Sequence, residues 1–189
     1  MPIADEVDRR VKELTTLRDN LDTGFSLLVF PRSGAFLERD IWVQATRLGL
    51  EFRSDDGLFH WGEVGYPPLF TLSSLTKDEF SLAAVQTNTL HQGLQLGFSL
   101  PRCPAPSQSF LGVCSAAEEL ARQLNGLVLD DAQRVFDQPS RSAAERNIAM
   151  ASATLTQAGL APGSTEAIRI WQDCLQLGSC HQLPKEQMP

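Results

Sequence analysis

Apolar residues in the first twenty positions recur at Val7, Val11, Leu14, Leu17 and Leu21, with Asp8, Arg9, Lys12 and Glu13 between them. Steps of three and four predict an amphipathic helix over Ile3–Leu21 with one packing stripe and one wet face. The link Asp22-Thr23-Gly24 leads into Phe25–Phe30, which reads as a strand ended by Pro31, Ser33 and Gly34. A helix is predicted over Ala35–Leu48 with Gly49 as its stop. Short strands follow at Leu50–Arg53, Leu58–Val64 and Leu69–Ser74, separated by the turn signals Ser54-Asp55-Asp56-Gly57 and Gly65-Tyr66-Pro67-Pro68. Thr76–Gln92 reads as mostly irregular.

The pattern is sharper in the second half. Leu94, Leu96, Phe98 and Leu100 alternate with Gln95, Gly97 and Ser99, the signature of a half-buried strand. Phe110, Val113, Ala117, Leu120 and Leu124 mark a helix stopped by Asn125-Gly126, and Leu127–Leu129 is a short strand closed by Asp130-Asp131. The spacing Ser142-Ala143-Ala144-Glu145 predicts the start of a third helix running through Ile148, Ala151 and Leu155 to Gly159. Glu166–Trp171 fits an edge strand or a helical turn, and a loose tail is expected beyond it. Short links favour antiparallel pairing. The expected fold is α+β: a mainly antiparallel sheet of about six strands with the helices on one face. The domain division is an N-terminal helix and link at 1–23, the main domain at 24–163, and a possible edge strand with a tail at 164–189.

Charge and composition narrow the function. The chain has 189 residues, with 16 Lys and Arg against 23 Asp and Glu, giving a net charge of −7. That balance argues against nucleic acid or an anionic membrane as a partner. No run approaches the roughly 18 apolar residues of a membrane span. Four cysteines without an export signal favour a reduced, cytoplasmic setting over a disulfide framework. Cys174, Cys180 and His181 match no standard zinc spacing, so no metal and no cofactor are expected.

Leu69-Phe70-Thr71-Leu72-Ser73-Ser74-Leu75, the strand Leu94–Pro101, and Asn125-Gly126-Leu127-Val128-Leu129-Asp130-Asp131 followed by a helix resemble the C-terminal domain of the ZipA family. The resemblance spans about Phe25 to Pro162. ZipA proteins tether the bacterial division protein FtsZ to the inner membrane. The likeness therefore implies a cell-division adaptor whose bare sheet face is a shallow apolar groove for the C-terminal tail peptide of FtsZ. It places Phe25 and Leu27 at aliphatic groove positions, Leu58 at an aliphatic contact with its neighbour falling at Asp56, Ser73 at a small one, Leu75 at an apolar one, and Gln95 at the polar rim. Gly97 sits where the better-known family member has an aromatic ring, a loss of roughly 1.5–3 kcal/mol of burial. The membrane helix and polar linker of ZipA proteins are not in this sequence. The expectation is either the soluble part of a longer, anchored protein at the cytoplasmic side of the inner membrane or a soluble relative.

The residues also point to such a face without the resemblance. Phe25–Phe30 is apolar at both parities; with Leu28 and Phe30 toward the helices, Phe25, Leu27 and Val29 point away, where a solvated face calls for polar residues. Apolar clusters on an uncovered face mark interaction surfaces. Taken together with what the resemblance implies, the expected peptide contacts are Phe25, Leu27, Val29, Leu58, His60, Ser73, Leu75, Gln95 and Gly97. The alternative is a structural or self-association domain whose apolar face is covered by its own N-terminal helix, its C-terminal segment or a homodimer partner. Nothing advertises catalysis. Asp130-Asp131 reads as a turn cap, His60 as a groove or packing histidine, and no nucleophile elbow, phosphate loop or zinc motif is present.

Overall fold

The computed structural model describes residues 22–63, 66–75 and 79–176, with Glu6 and Arg9, and side chains as far as Trp171. The expected N-terminal helix (apart from those two residues) and Cys174, Cys180 and His181 lie outside the described side chains. Elements follow in the order β1 (Gly24–Pro31), β2 (Phe36–Leu37), α1 (Glu38–Arg47), β3 (Glu51–Arg53), β4 (Leu58–Trp61), β5 (Phe70–Ser74), α2 (Leu82–Gln86), β6 (Leu90–His91), β7 (Leu94–Ser99), α3 (Pro106–Gln123), β8 (Gly126–Leu129), α4 (Gln138–Gln157) and α5 (Thr165–Gln176). The fold is α+β.

Six strands form one antiparallel sheet in the order β3-β4-β5-β7-β1-β8, and β2 pairs with β6 in a separate two-stranded ribbon. Register fixes which residues share a face. Phe52, Phe59, Leu72, Leu96 and Leu27 form one continuous cross-strand row, and Leu94 with Val29 belongs to the next row on that side. These rows are the floor of the core. Phe110, Val113, Ala117 and Leu120 of α3 and Ile41 and Ala45 of α1 are buried in the same cluster. Trp42 of α1 meets Phe59 edge-on at 4.9 Å, and Phe25 meets Phe110 of α3 at the same centroid distance. Helix α4 packs on α3 and adds Ile148 and Leu155.

Two elements differ from the pattern-based expectation, and one left open between strand and helical turn is a helix. Residues 166–171 are helical, not an edge strand: Ser164 Oγ accepts the Ala167 N–H at 3.2 Å, and Ala167 and Trp171 are buried on one side. Helix α4 begins four residues before the Ser142–Glu145 box, because the Asp137 carboxylate accepts the Ser140 N–H at 2.9 Å and Pro139 fits the first turn. Within 76–92, Leu82–Gln86 is a helical turn capped by Ser81, and Leu90–His91 pairs with Phe36–Leu37. Among the described residues, no helix is long and apolar enough to cross a membrane.

Candidate peptide-binding face

The same register that builds the core also defines the opposite face of the sheet. Its central row runs Ser26–Gly97–Thr71–His60–Glu51 across five strands. Beside it lies Leu129–Leu28–Gln95–Ser73, and at the β8 end Phe30 pairs with Leu127. Leu75, one step past β5, donates its N–H to the Gly93 carbonyl at 3.0 Å. A Cβ on Gly93 would lie 2.8 Å from Leu75 Cδ1 and 3.3 Å from the Phe30 ring, so this glycine is the floor between two apolar side chains. The described helices with resolved packing bury their stripes on the Leu27 side, not here.

Leu58, His60, Ser73, Leu75, Gln95 and Gly97 therefore fall together on this second face. Phe25, Leu27 and Val29 do not. Leu27 and Val29 are 0 % exposed in the helix-covered core, and Phe25 is wedged against Phe110 and Phe136 beside a cleft of about 190 Å³ under α4. The parity of β1 is the reverse of the expected one, and those three residues are core. Ser26, Leu28 and Phe30 take their places, joined by Leu127 and Leu129. The lone polar residue of β1 was the available signal: Ser26 has the parity of Leu28 and Phe30, and marks the side turned from the core.

The face is graded in polarity. At the β8–β1 end stand Leu127, Leu129, Leu28 and Phe30, with Leu127 36 % exposed and Leu75 38 % exposed across the Gly93 floor. Toward β3 the rows turn polar through Gln95, Ser73 and Thr71 to His60 and Glu51. His60 Nε2 lies 2.7 Å from Asp56 Oδ2, while Asp56 Oδ1 accepts the Leu58 N–H at 3.1 Å. Where Nε2–H donates to that carboxylate in the neutral ring, Nδ1 is left as an acceptor; it is buried and has no hydrogen-bond partner among the described residues. An orphan of this kind costs about 1–3 kcal/mol.

Two other clusters have catalytic-looking composition. Ser74 Oγ lies 2.7 Å from His91 Nδ1, and His91 Nε2 lies 3.0 Å from Glu38 Oε2. The order serine–histidine–carboxylate resembles a hydrolase relay, but Glu38 and His91 are fully buried. The other Glu38 oxygen is taken by Trp42 Nε1–H at 3.1 Å and the Ser81 N–H at 2.7 Å. The chain is a cross-link tying α1, β6, β5 and the segment before α2 together. Asp130 accepts the Arg134 N–H at 2.8 Å and pairs with its guanidinium, which together hold its carboxyl below the usual range. It closes the turn after β8. No group of three potential metal ligands occurs among the described residues.

No curated protein matches the chain in sequence. The family model described as ZipA, C-terminal FtsZ-binding domain, matches residues 25–146, which takes in the whole six-stranded sheet and helix α3. With that match over more than half its length, and with the six-stranded antiparallel sheet and one-sided helices in place, the chain belongs to the family of ZipA C-terminal, FtsZ-binding cell-division domains.

Proposed function

We propose that the second face of the sheet receives the C-terminal tail peptide of FtsZ, making the protein a non-enzymatic adaptor of the division machinery at the cytoplasmic side of the inner membrane. The family binds FtsZ. The observation that carries the location is the apolar end of this face. Leu127, Phe30 and Leu75 stand on it with Leu28 and Leu129, whereas the helices use the other side. An apolar anchor of the peptide seated across the Gly93 floor removes those side chains from water at about 25 cal/mol per Å². Gln95 and Ser73, one row in, offer polar groups that set register. His60, with Gly97 and the apolar Leu58, completes the half toward β3.

The test is titration of an FtsZ tail peptide into wild type and into Leu127→Asp and Leu75→Asp, both at exposed positions that leave the core untouched. Loss of binding in these variants with unchanged thermal unfolding supports the site. Normal affinity in both overturns it.

A second reading is favoured by one observation. Leu28 and His60 are each only 7 % exposed although no described helix lies over them. In this reading the chain covers the face itself or with a second copy. Light scattering across concentration, and peptide titration into a variant lacking residues 1–21, separate the two. Self-coverage predicts a dimer, or tighter peptide binding after the deletion.

A further inference from the structure

We infer that the β3–β4 end of this face takes a basic side chain of the bound peptide, so that the peptide lies with apolar anchors toward β8 and a cation toward β3. The inference rests on the proposed docking face and adds its polarity. Two independent observations carry it.

The first is charge. Glu51 ends the central row, exposed and on the His60 face by register, and no ion pair engages it among the described residues. Asp55 and Asp56 follow in the exposed turn joining β3 to β4. Arg53 is the cation of this end; it shares its row with Leu58 and pairs with none of the three carboxylates. Among the described residues, Glu51, Asp55 and Asp56, with the Glu79 carboxylate against Gly57 of the same turn, outnumber Arg53 and leave the end negative. A rim charge of this kind orients an incoming partner more than it adds affinity.

The second is the orphaned imidazole nitrogen. His60 is more than nine-tenths buried on this face, with Nε2 turned to Asp56. With the proton on Nε2, Nδ1 is an acceptor, and no group donates to it among the described residues. An N–H carried by the bound peptide would satisfy that buried acceptor. Exposed Glu51, which has no ion-pair partner among the described residues, and His60 Nδ1 ask for the same chemistry, a cationic hydrogen-bond donor. Lysine and arginine supply it.

The test uses the full chain, an FtsZ tail peptide, and the same peptide with its lysines and arginines changed to glutamine, titrated at low and high salt. The neutral peptide is expected to bind about two- to fivefold more weakly at low salt, with the difference shrinking at high salt. Glu51→Gln should weaken the native peptide by a similar factor and discriminate the two peptides less. His60→Phe, which keeps the ring but removes the acceptor, should weaken the native peptide about two- to tenfold. Leu127→Asp is the control for the face. If that variant abolishes binding while the neutral peptide, Glu51→Gln and His60→Phe all match wild type, the polarity is wrong and the docking face stands. If the native peptide binds Leu127→Asp and Leu75→Asp normally, the face is wrong and the polarity falls with it.

Discussion

Ser26 on β1 lies directly opposite Gly97 on β7, and the pair sits so close that Gly97 has no room for a side chain. A Cβ there would be 2.7 Å from the Phe25 carbonyl oxygen and 2.9 Å from Ser26 Cβ. Backbone is on one side, so the contact is relieved only by moving β1 away from β7. The glycine at this position is a packing requirement of the two central strands, and the aromatic ring found here in the family resemblance has no space in this chain.

Gly97→Ala is therefore expected to lower stability by about 1–3 kcal/mol, as overpacking does, and Gly97→Phe by more. Urea unfolding followed by tryptophan fluorescence measures it. Neither substitution should raise affinity for an FtsZ tail peptide. A Gly97→Phe protein of normal stability and tighter binding would contradict this account of the glycine.

Leu27 and Leu28 are neighbours in sequence with opposite duties, since successive strand residues point to opposite faces. Leu27 is enclosed by Leu96 across β7 and by the helices. Leu27→Ala should cost about 2–5 kcal/mol and leave peptide binding by the remaining folded protein intact. Leu28→Ser, at a side chain 7 % exposed, should also cost stability, but unlike Leu27→Ala it should weaken peptide binding by the folded protein. Reversed results from the same unfolding and titration measurements would restore the parity first expected from the sequence.

The fold was legible where the pattern was unambiguous. Leu94–Leu100 alternates without exception and stands as β7, and the Phe110–Leu124 spacing stands as α3. Phe25–Phe30 was legible as a strand but not as to face, because both parities are apolar and only Ser26 distinguishes them. That single ambiguity moved three of the expected contacts into the core. The contacts from β4, β5 and β7 needed no such choice, since Phe59, Leu72 and Leu96 identify the core side and leave His60, Ser73 and Gln95 on the other. The Glu166–Trp171 window was too short to separate a period of two from one of 3.6. The buried Glu38–His91 pair is 53 residues apart in sequence, and no local pattern announces a contact at that range.

That pair supplies a stability prediction. Glu38→Ala removes the acceptor of Trp42 Nε1–H, of the Ser81 N–H and of His91 together. Stranding buried polar groups costs about 1–3 kcal/mol each without simple addition, so a total of about 3–5 kcal/mol is expected. Ser74→Ala, at a half-buried end of the same chain, should cost less. If Ser74→Ala instead left folding unchanged and abolished a measurable esterase activity, the cross-link would have to be reassigned as a catalytic relay.

Cys114 provides a pH signature of the core. The thiol lies on the inner side of α3, and burial pushes it up to about 11, with Glu118 and Glu145 adding to the rise and Arg141 opposing it. Burial likewise raises Cys103, against the hydrogen bond to Ser109. In the unfolded chain a cysteine loses its proton near pH 8.5. Between about pH 9 and pH 11, then, the unfolded state has released a proton that folded Cys114 retains, and stability must fall as pH rises through that window. Below it the group contributes no slope. Chemical unfolding from pH 8 to pH 10.5 should show the decline, and Cys114→Ala should flatten part of it. The same neutral thiols should react slowly with a thiol reagent at pH 8 in the folded protein and rapidly once urea exposes them. Fast labelling of Cys114 under native conditions would mean that α3 does not hold it out of water.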